Sequence, residues 1–323
     1  MIKLKWTSYS LYSIIVLRKI GVEMKKSEIK RLAILIIAVV IIIAGIKIFQ
    51  SRDTTYKDLL NKGYSESDIT ILLDKLNKEE IKNTINSEYN EYLPKVLSSK
   101  YYIPNNLQKY LELCKTNKNI DDVIAIINTG TDKEWYTFTK EITNLSNSML
   151  VNKFNYLPAD YAPDDISKII NWYCYGTPSI KNEVYEQFKK MWKDAESNGL
   201  KLIINSGYRT FEEQQKIYND YNDEYASKPG FSEHQTGLAL DIITDKAIQN
   251  EFEQTEEFKW LQNNAHKYGF ILRYPKNKEH ITGYAYESWH YRYLGVELAT
   301  KVYESKLTYE EYYAYYCEYK GEC

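Results

Sequence analysis

From Leu32 to Ile46 the chain reads LAILIIAVVIIIAGI, without a charge, a polar side chain or a proline. Lys47 can snorkel, and Ile48 and Phe49 extend the apolar run to about 18 residues, near the ~20 that a helix needs to cross a bilayer. Lys25, Lys26, Lys30 and Arg31 stand just before it. Positive flanks stay in the cytoplasm. The expectation is a single-pass anchor over 32–49, with residues 1–31 cytoplasmic and the C-terminal bulk outside the cell. The rival is a cleaved signal peptide, but IKIFQSRDTT lacks a convincing A-x-A site. Met24 begins MKKSEIKR, a natural start for an exported protein, so residues 1–23 read as an upstream extension or a misassigned start.

Residues 51–57 read as a short polar link. Beyond them the pattern is helical to about Leu150. Leu59, Leu60, Ile69, Leu72, Leu73 and Leu76 fall at helix-like spacings. Ser65 and Ser67 are candidate N-caps, and Gly63 a stop for the helix before them. NNLQKYLELCK and DDVIAIIN predict further short helices, and residues 50–150 read as a helical spacer.

The character changes at Val151. VNKFNYLPADYAPDDI, with two prolines, predicts an extended lead-in that wraps the next domain. Lys181–Asn198 predicts a helix with Val184, Tyr185, Phe188, Met191, Trp192 and Ala195 on one face, ended by Gly199. LKLIINSGYR reads as a strand leaving the core at Ser206–Gly207. Phe211–Ala226 is helical, LALDII a strand, and Glu256–Tyr268 a helix stopped by Gly269. FILRYP and YESWHYRY are two more strands. Helices from Val296 and from Tyr309 close the chain. Such mixing without regular βαβ repetition predicts an α+β fold with a small, mainly antiparallel sheet flanked by helices. The expected domain runs over 151–307, followed by a tail over 308–323.

Composition narrows the choices. The net charge is −2, and no long basic block follows residue 31, so nucleic acid is not an expected partner. The 32 tyrosines come with many Lys, Asn and Ile, which fits an A/T-rich genome better than a carbohydrate-binding surface. Cys114, Cys174, Cys317 and Cys323 form no CxxC pair, which argues against a cysteine zinc site. Cys317 and Cys323 either close a small loop or stay free. Oligomeric state is not legible.

Only four histidines occur: His234, His266, His280 and His290. His234 precedes Asp241 by seven residues in FSEHQTGLALDI, with Gly237 allowing a turn between them. Glu287 precedes His290 by three in YESWHYRY. Two imidazoles and one carboxylate suffice to hold a catalytic zinc and leave a fourth position open. A bound zinc lowers the pKa of water towards ~7. A free carboxylate is then needed as general base, and Glu287 is the candidate. In a regular strand, Glu287 and His290 would face opposite ways, so this chemistry demands a turn or bulge between them. His266 and His280 read as surface or cap residues. Upstream, SGYRTFEEQ supplies Arg209 and Gln214. Arg209 stands either at a cleft rim, where its fork meets a carboxylate or oxyanion, or in a surface salt bridge.

The combination SGYR-x4-Q, GFSEHQTGLALDI and YESWHYRYLG resembles the VanY-type D-alanyl-D-alanine carboxypeptidases, a family of zinc peptidases. Their pattern is SxHxxGxAxD followed by ExxH. Here it is carried by Ser232, His234, Gly237, Ala239 and Asp241, then Glu287 and His290. The likeness covers about Val151–Tyr303 and implies a hedgehog and D,D-peptidase-like fold. It implies one Zn2+ per chain on His234, Asp241 and His290, with Glu287 as base. Arg209, Gln214 and Ser232 would hold the peptide, by its scissile carbonyl or its terminal carboxylate. The implied activity is removal of the terminal D-alanine from peptidoglycan stem peptides. The alternatives are L,D-carboxypeptidase, dipeptidase or endopeptidase cleavage, or a non-catalytic wall-binding module.

Overall fold

A computed structural model describes residues 26–247 and 249–323. The question of the start over residues 1–23, and most of the expected cytoplasmic segment, lie outside the described residues. Two compact units are present, Met1–Leu97 and Ser98–Cys323. The second therefore begins inside the stretch read as a spacer.

In the first unit, helix α1 spans Lys26–Lys62. It continues through 51–57, where the sequence suggested a link. Neither glycine nor proline interrupts Lys47–Lys62, and extending a helix costs far less than nucleating one. Ile34 and Ile41 within it are about two-thirds exposed. Among the described residues, no helix is long and apolar enough to cross a membrane. Gly63 takes a φ of 110° after the last turn. Helices α2 (Glu66–Lys75) and α3 (Lys78–Asn86) each start with a capping box, Ser65 with Asp68 and Asn77 with Glu80. These boxes satisfy N–H groups that a helix start leaves orphaned. Helix α4 is Tyr92–Leu97. Leu59, Ile69, Leu72 and Val96 are fully buried, whereas Leu60 and Leu73 fall off the buried stripe.

The second unit opens with helices α5 (Leu107–Leu113) and α6 (Ile120–Thr129). Two small strand pairs follow, Lys140–Glu141 with Asn155–Tyr156 and Ile166–Lys168 with Ser179–Lys181. The principal sheet has four strands: β1 (Ile203–Ser206), β2 (Ala239–Ile243), β3 (Phe270–Tyr274) and β4 (Glu287–Tyr293). Their order is β1-β2-β4-β3, every pair antiparallel. The expected α+β class holds. Helix α7 (Asn182–Ser197) buries Val184, Phe188, Met191, Trp192 and Ala195 on one stripe. That stripe joins Ile204, Leu240, Ile242, Phe270 and Tyr291 in one apolar core. Full burial of a Val, Leu, Ile, Phe or Met side chain there stabilises the fold by ~1.5–3 kcal/mol.

Side chains alternate across a strand, so the other sheet face carries Asp241, His290, Arg292 and Arg273. Helices α8 (Phe211–Tyr225), α9 (Gln249–Phe252), α10 (Glu256–Asn264) and α11 (Glu279–Thr282) fill the connections. Past Asn264 the expected helix tightens into a 3-10 turn, Ala265–Tyr268, before Gly269. Helices α12 (Val296–Ser305) and α13 (Tyr309–Tyr312) follow, then a wide helical turn, Tyr313–Tyr319. Cys317 and Cys323 form a disulfide, and Cys114 and Cys174 are free and buried.

Candidate metal centre

The loop before β2 places the first imidazole. Glu233–Thr236 form one 3-10 turn, ended by Gly237 at a φ of 70°. A Cβ at Gly237 would lie 2.7 Å from Ile166 Cδ1. Only glycine combines that backbone with that space. The chain then enters β2, where Asp241 sits directly opposite His290 of β4. The bulge that Glu287 requires is present. Leu272 pairs with Tyr291 and Tyr274 with Glu287, so two steps along β3 face four along β4. The extra residues fall between Glu287 and Tyr291, and both side chains of the ExxH motif turn to one side.

His234, Asp241 and His290 each offer a ligand atom, all within 4.8 Å of one another. Asp241 Oδ1 stands 3.5 Å from His234 Nε2 and 3.3 Å from His290 Nδ1. For metal–ligand bonds of ~2.0–2.1 Å, a tetrahedron has edges of roughly 3.3 Å. Asp241 Oδ1 is buried without a hydrogen-bond partner, a costly state unless something else satisfies it. The far ring nitrogens are held from behind. His234 Nδ1 lies 2.6 Å from the Gly207 carbonyl, which can only accept, so Nδ1 carries the hydrogen and Nε2 faces Asp241. His290 Nε2 faces Glu233 Oε2 at 3.4 Å. Glu287 Oε2 is 3.5 Å from His290 Nδ1. The residues present fit a zinc ion.

The family model for VanY, D-alanyl-D-alanine carboxypeptidase, matches residues 177–296. A D-alanyl-D-alanine carboxypeptidase of Enterococcus faecium is 34% identical over 222 residues, 66% of this chain and 72% of that one. The chain belongs to the VanY family. A putative carboxypeptidase of Bacillus subtilis, YodJ, is 40% identical over 185 residues, 51% of this chain and 66% of its own length. The solved LdcB LD-carboxypeptidase is 38% identical with a TM-score of 0.51, over 55% of this chain and 91% of that one.

Charge in this VanY-family site is set by burial against close partners. Burial opposes ionisation of Asp241, but His234 and His290 outweigh it and hold the carboxyl well below its ordinary range. Burial likewise opposes charge on His290, yet Asp241 and Glu233 lift it to about 9. Glu287 sits in a cleft of protein with its side chain 29% exposed. Burial there pushes it to about 7, with the pull of His290 not sufficient to restore it. Arg209 is lowered by burial, and its charge faces Asp241 and Glu287. Its Nε is buried without a partner. Gln214 and Ser232 are buried. The Gln214 amide donates to the Ser227 carbonyl, and its own oxygen has no partner.

His266 and His280 lie outside the ligand cluster. His266 stacks on Tyr303, and His280 lies 3.6 Å from Asp122. Sequence reasoning missed Glu233, Arg273, Arg292 and Glu310, which lie buried behind the cluster. Burial opposes the charge of Glu233, but Arg273 and Arg292 hold its carboxyl well down. Burial pushes Glu310 up, and it opposes the charge of Arg273, but Glu233 and Glu310 outweigh it there and drive Arg273 up. The two-pronged contact of Glu310 with Arg273, at 2.6 and 2.8 Å, is that of an ion pair. A visible signal existed: FILRYP sets an arginine within an otherwise apolar strand, and WHYRY sets one between two tyrosines.

Proposed function

We propose that this protein is a zinc carboxypeptidase that removes the C-terminal D-alanine from peptidoglycan stem peptides outside the cell. The supporting observation is the convergence of two imidazoles and an otherwise unsatisfied aspartate oxygen beside a free glutamate. His234 Nε2, His290 Nδ1 and Asp241 Oδ1 would hold the ion. Zinc, when bound, supplies a Lewis acid that acidifies water and polarises a carbonyl. Glu287, open on one side, takes the proton of the attacking water and returns it to the leaving amine. Arg209, whose Nε–H has no partner, faces a substrate oxygen, and Gln214 and Ser232 hold the peptide beside it. A catalytic region over 151–307 with the tail 308–323 performs the chemistry. The uncharged apolar run within 32–49 supports a single-pass anchor, and residues 50–150 a spacer of which Ser98–Leu150 belong to the second unit. Wall polymer, rather than free dipeptide, suits such a tether.

Release of D-alanine from a stem peptide ending in D-Ala-D-Ala by the purified chain, dependent on zinc, is the expected result. No release with zinc present would overturn the reading. The likeness to an LD-carboxypeptidase favours a second specificity on the same site. Faster cleavage of stems ending in a single D-Ala would select it. A non-catalytic wall-binding role predicts a damaged site, whereas all four chemical positions are intact.

A further inference from the structure

Behind the ligands, four charged side chains are shut inside the second unit. Those of Glu233, Arg273 and Arg292 are fully buried, and that of Glu310 is 2% exposed. They form a continuous chain. Glu310 of α13 grips Arg273 with both oxygens. Arg273 Nε donates to Glu233 Oε1 at 2.8 Å, and Arg292 Nη1 donates to the same oxygen at 2.6 Å. That leaves Glu233 Oε2 for His290 Nε2, at 3.4 Å. Arg292 is tied further, donating to the Asn147 and Met149 carbonyls.

Packing alone does not call for this arrangement. Apolar side chains of similar volume fill such a space at equal or lower cost than buried ion pairs. The network has one end on an imidazole that offers its other nitrogen to the metal position. Glu310 also lies outside the residues that the family model matches, 177–296. We propose that Glu310, through Arg273 and Glu233, keeps the hydrogen of His290 on Nε2 and aims Nδ1 at the metal. Glu233 and Glu310 are positioning residues. The physical reason is directional. A carboxylate only accepts, so when His290 gives up one proton to take the metal, the hydrogen that remains is kept on Nε2 and the lone pair falls to Nδ1. The arginine fork fixes the plane of Glu233, and the two-pronged grip of Glu310 fixes the fork.

The proposal rests on the metal site proposed above, and its test reads metal binding rather than peptide cleavage, so the two can fail separately. Glu233→Gln and Glu310→Gln are made in the full chain. Zinc affinity is measured by chelator competition, the visible spectrum with cobalt in place of zinc, and the melting temperature without metal. Glu233→Gln is expected to weaken zinc binding about 10–100-fold, and Glu310→Gln about tenfold, each with an altered cobalt spectrum. Wild-type affinity and spectrum in both, whatever their melting temperatures, would overturn the proposal. A change in Glu233→Gln alone would remove Glu310 from it. If neither variant folds, 15N imidazole spectra of the zinc-loaded wild type decide. Hydrogen on His290 Nε2 supports the proposal, and metal on Nε2 overturns it.

Discussion

At the residue scale, the site sets one carboxylate against another. Asp241 is held ionised by two imidazoles, whereas Glu287 is raised to about 7 by burial. The first suits a ligand, the second a group that must take up and give back a proton near neutrality. Glu287→Ala should therefore keep its zinc and lose turnover by ~10²–10⁴-fold. Metal analysis alongside D-alanine release checks this, and equal loss of both would argue against a base. His234→Ala should lower zinc affinity sharply, since two protein ligands remain. In the metal-free site His290, raised to about 9, carries a proton at neutral pH. Zinc uptake should expel about one proton there, and affinity should fall as pH falls. Calorimetry in buffers of different ionisation enthalpy reads that proton directly.

Elements explain why these side chains meet. Asp241 and His290 are cross-strand neighbours, so the β2–β4 register alone brings them together. Glu287 joins them only through the bulge in β4, and His234 only through the turn at Gly237. Gly237→Ala should cost about 1–3 kcal/mol of stability, because alanine resists a φ of 70° and its methyl meets Ile166. Denaturant unfolding measures that cost, and weaker zinc binding should accompany it. The demand for a bulge was legible in ExxH, since three steps along a regular strand reverse the side chain. The continuity of α1 through 51–57 was not legible. Polar residues there resemble a link, yet nothing among them stops a helix.

Across the whole molecule, the protonation of the site is tied to folding. For His290, the ordinary value is ~6.5 and the folded one about 9. The stability it contributes is full below the first and lost as pH rises through the second. Glu287 adds to the trend. Its ordinary value is ~4.3, and folding raises it to about 7, so the stability that its protonated form contributes is lost as pH rises through about 7. The melting temperature of the metal-free protein should fall from pH 6 to pH 9.5. Zinc should flatten that fall, since the ion replaces the proton on His290. A metal-free melting curve independent of pH would contradict this balance.

Histidine and carboxylate spacing, turn glycines and alternating apolar strands are local properties, and the sequence by itself determined them. They were enough to define the α+β class and to name His234, Asp241, Glu287 and His290. Tertiary structure alone decided that Arg273, Arg292, Glu233 and Glu310 pair inside the protein. Glu233 and Glu310 look like ordinary surface charges along the chain, and the strand setting of Arg273 and Arg292 names no partner. Their partners are fixed by strand register and by the return of α13 to the sheet face that carries Arg273, contacts between residues far apart in sequence. Burial then turns four ordinary charges into one rigid support.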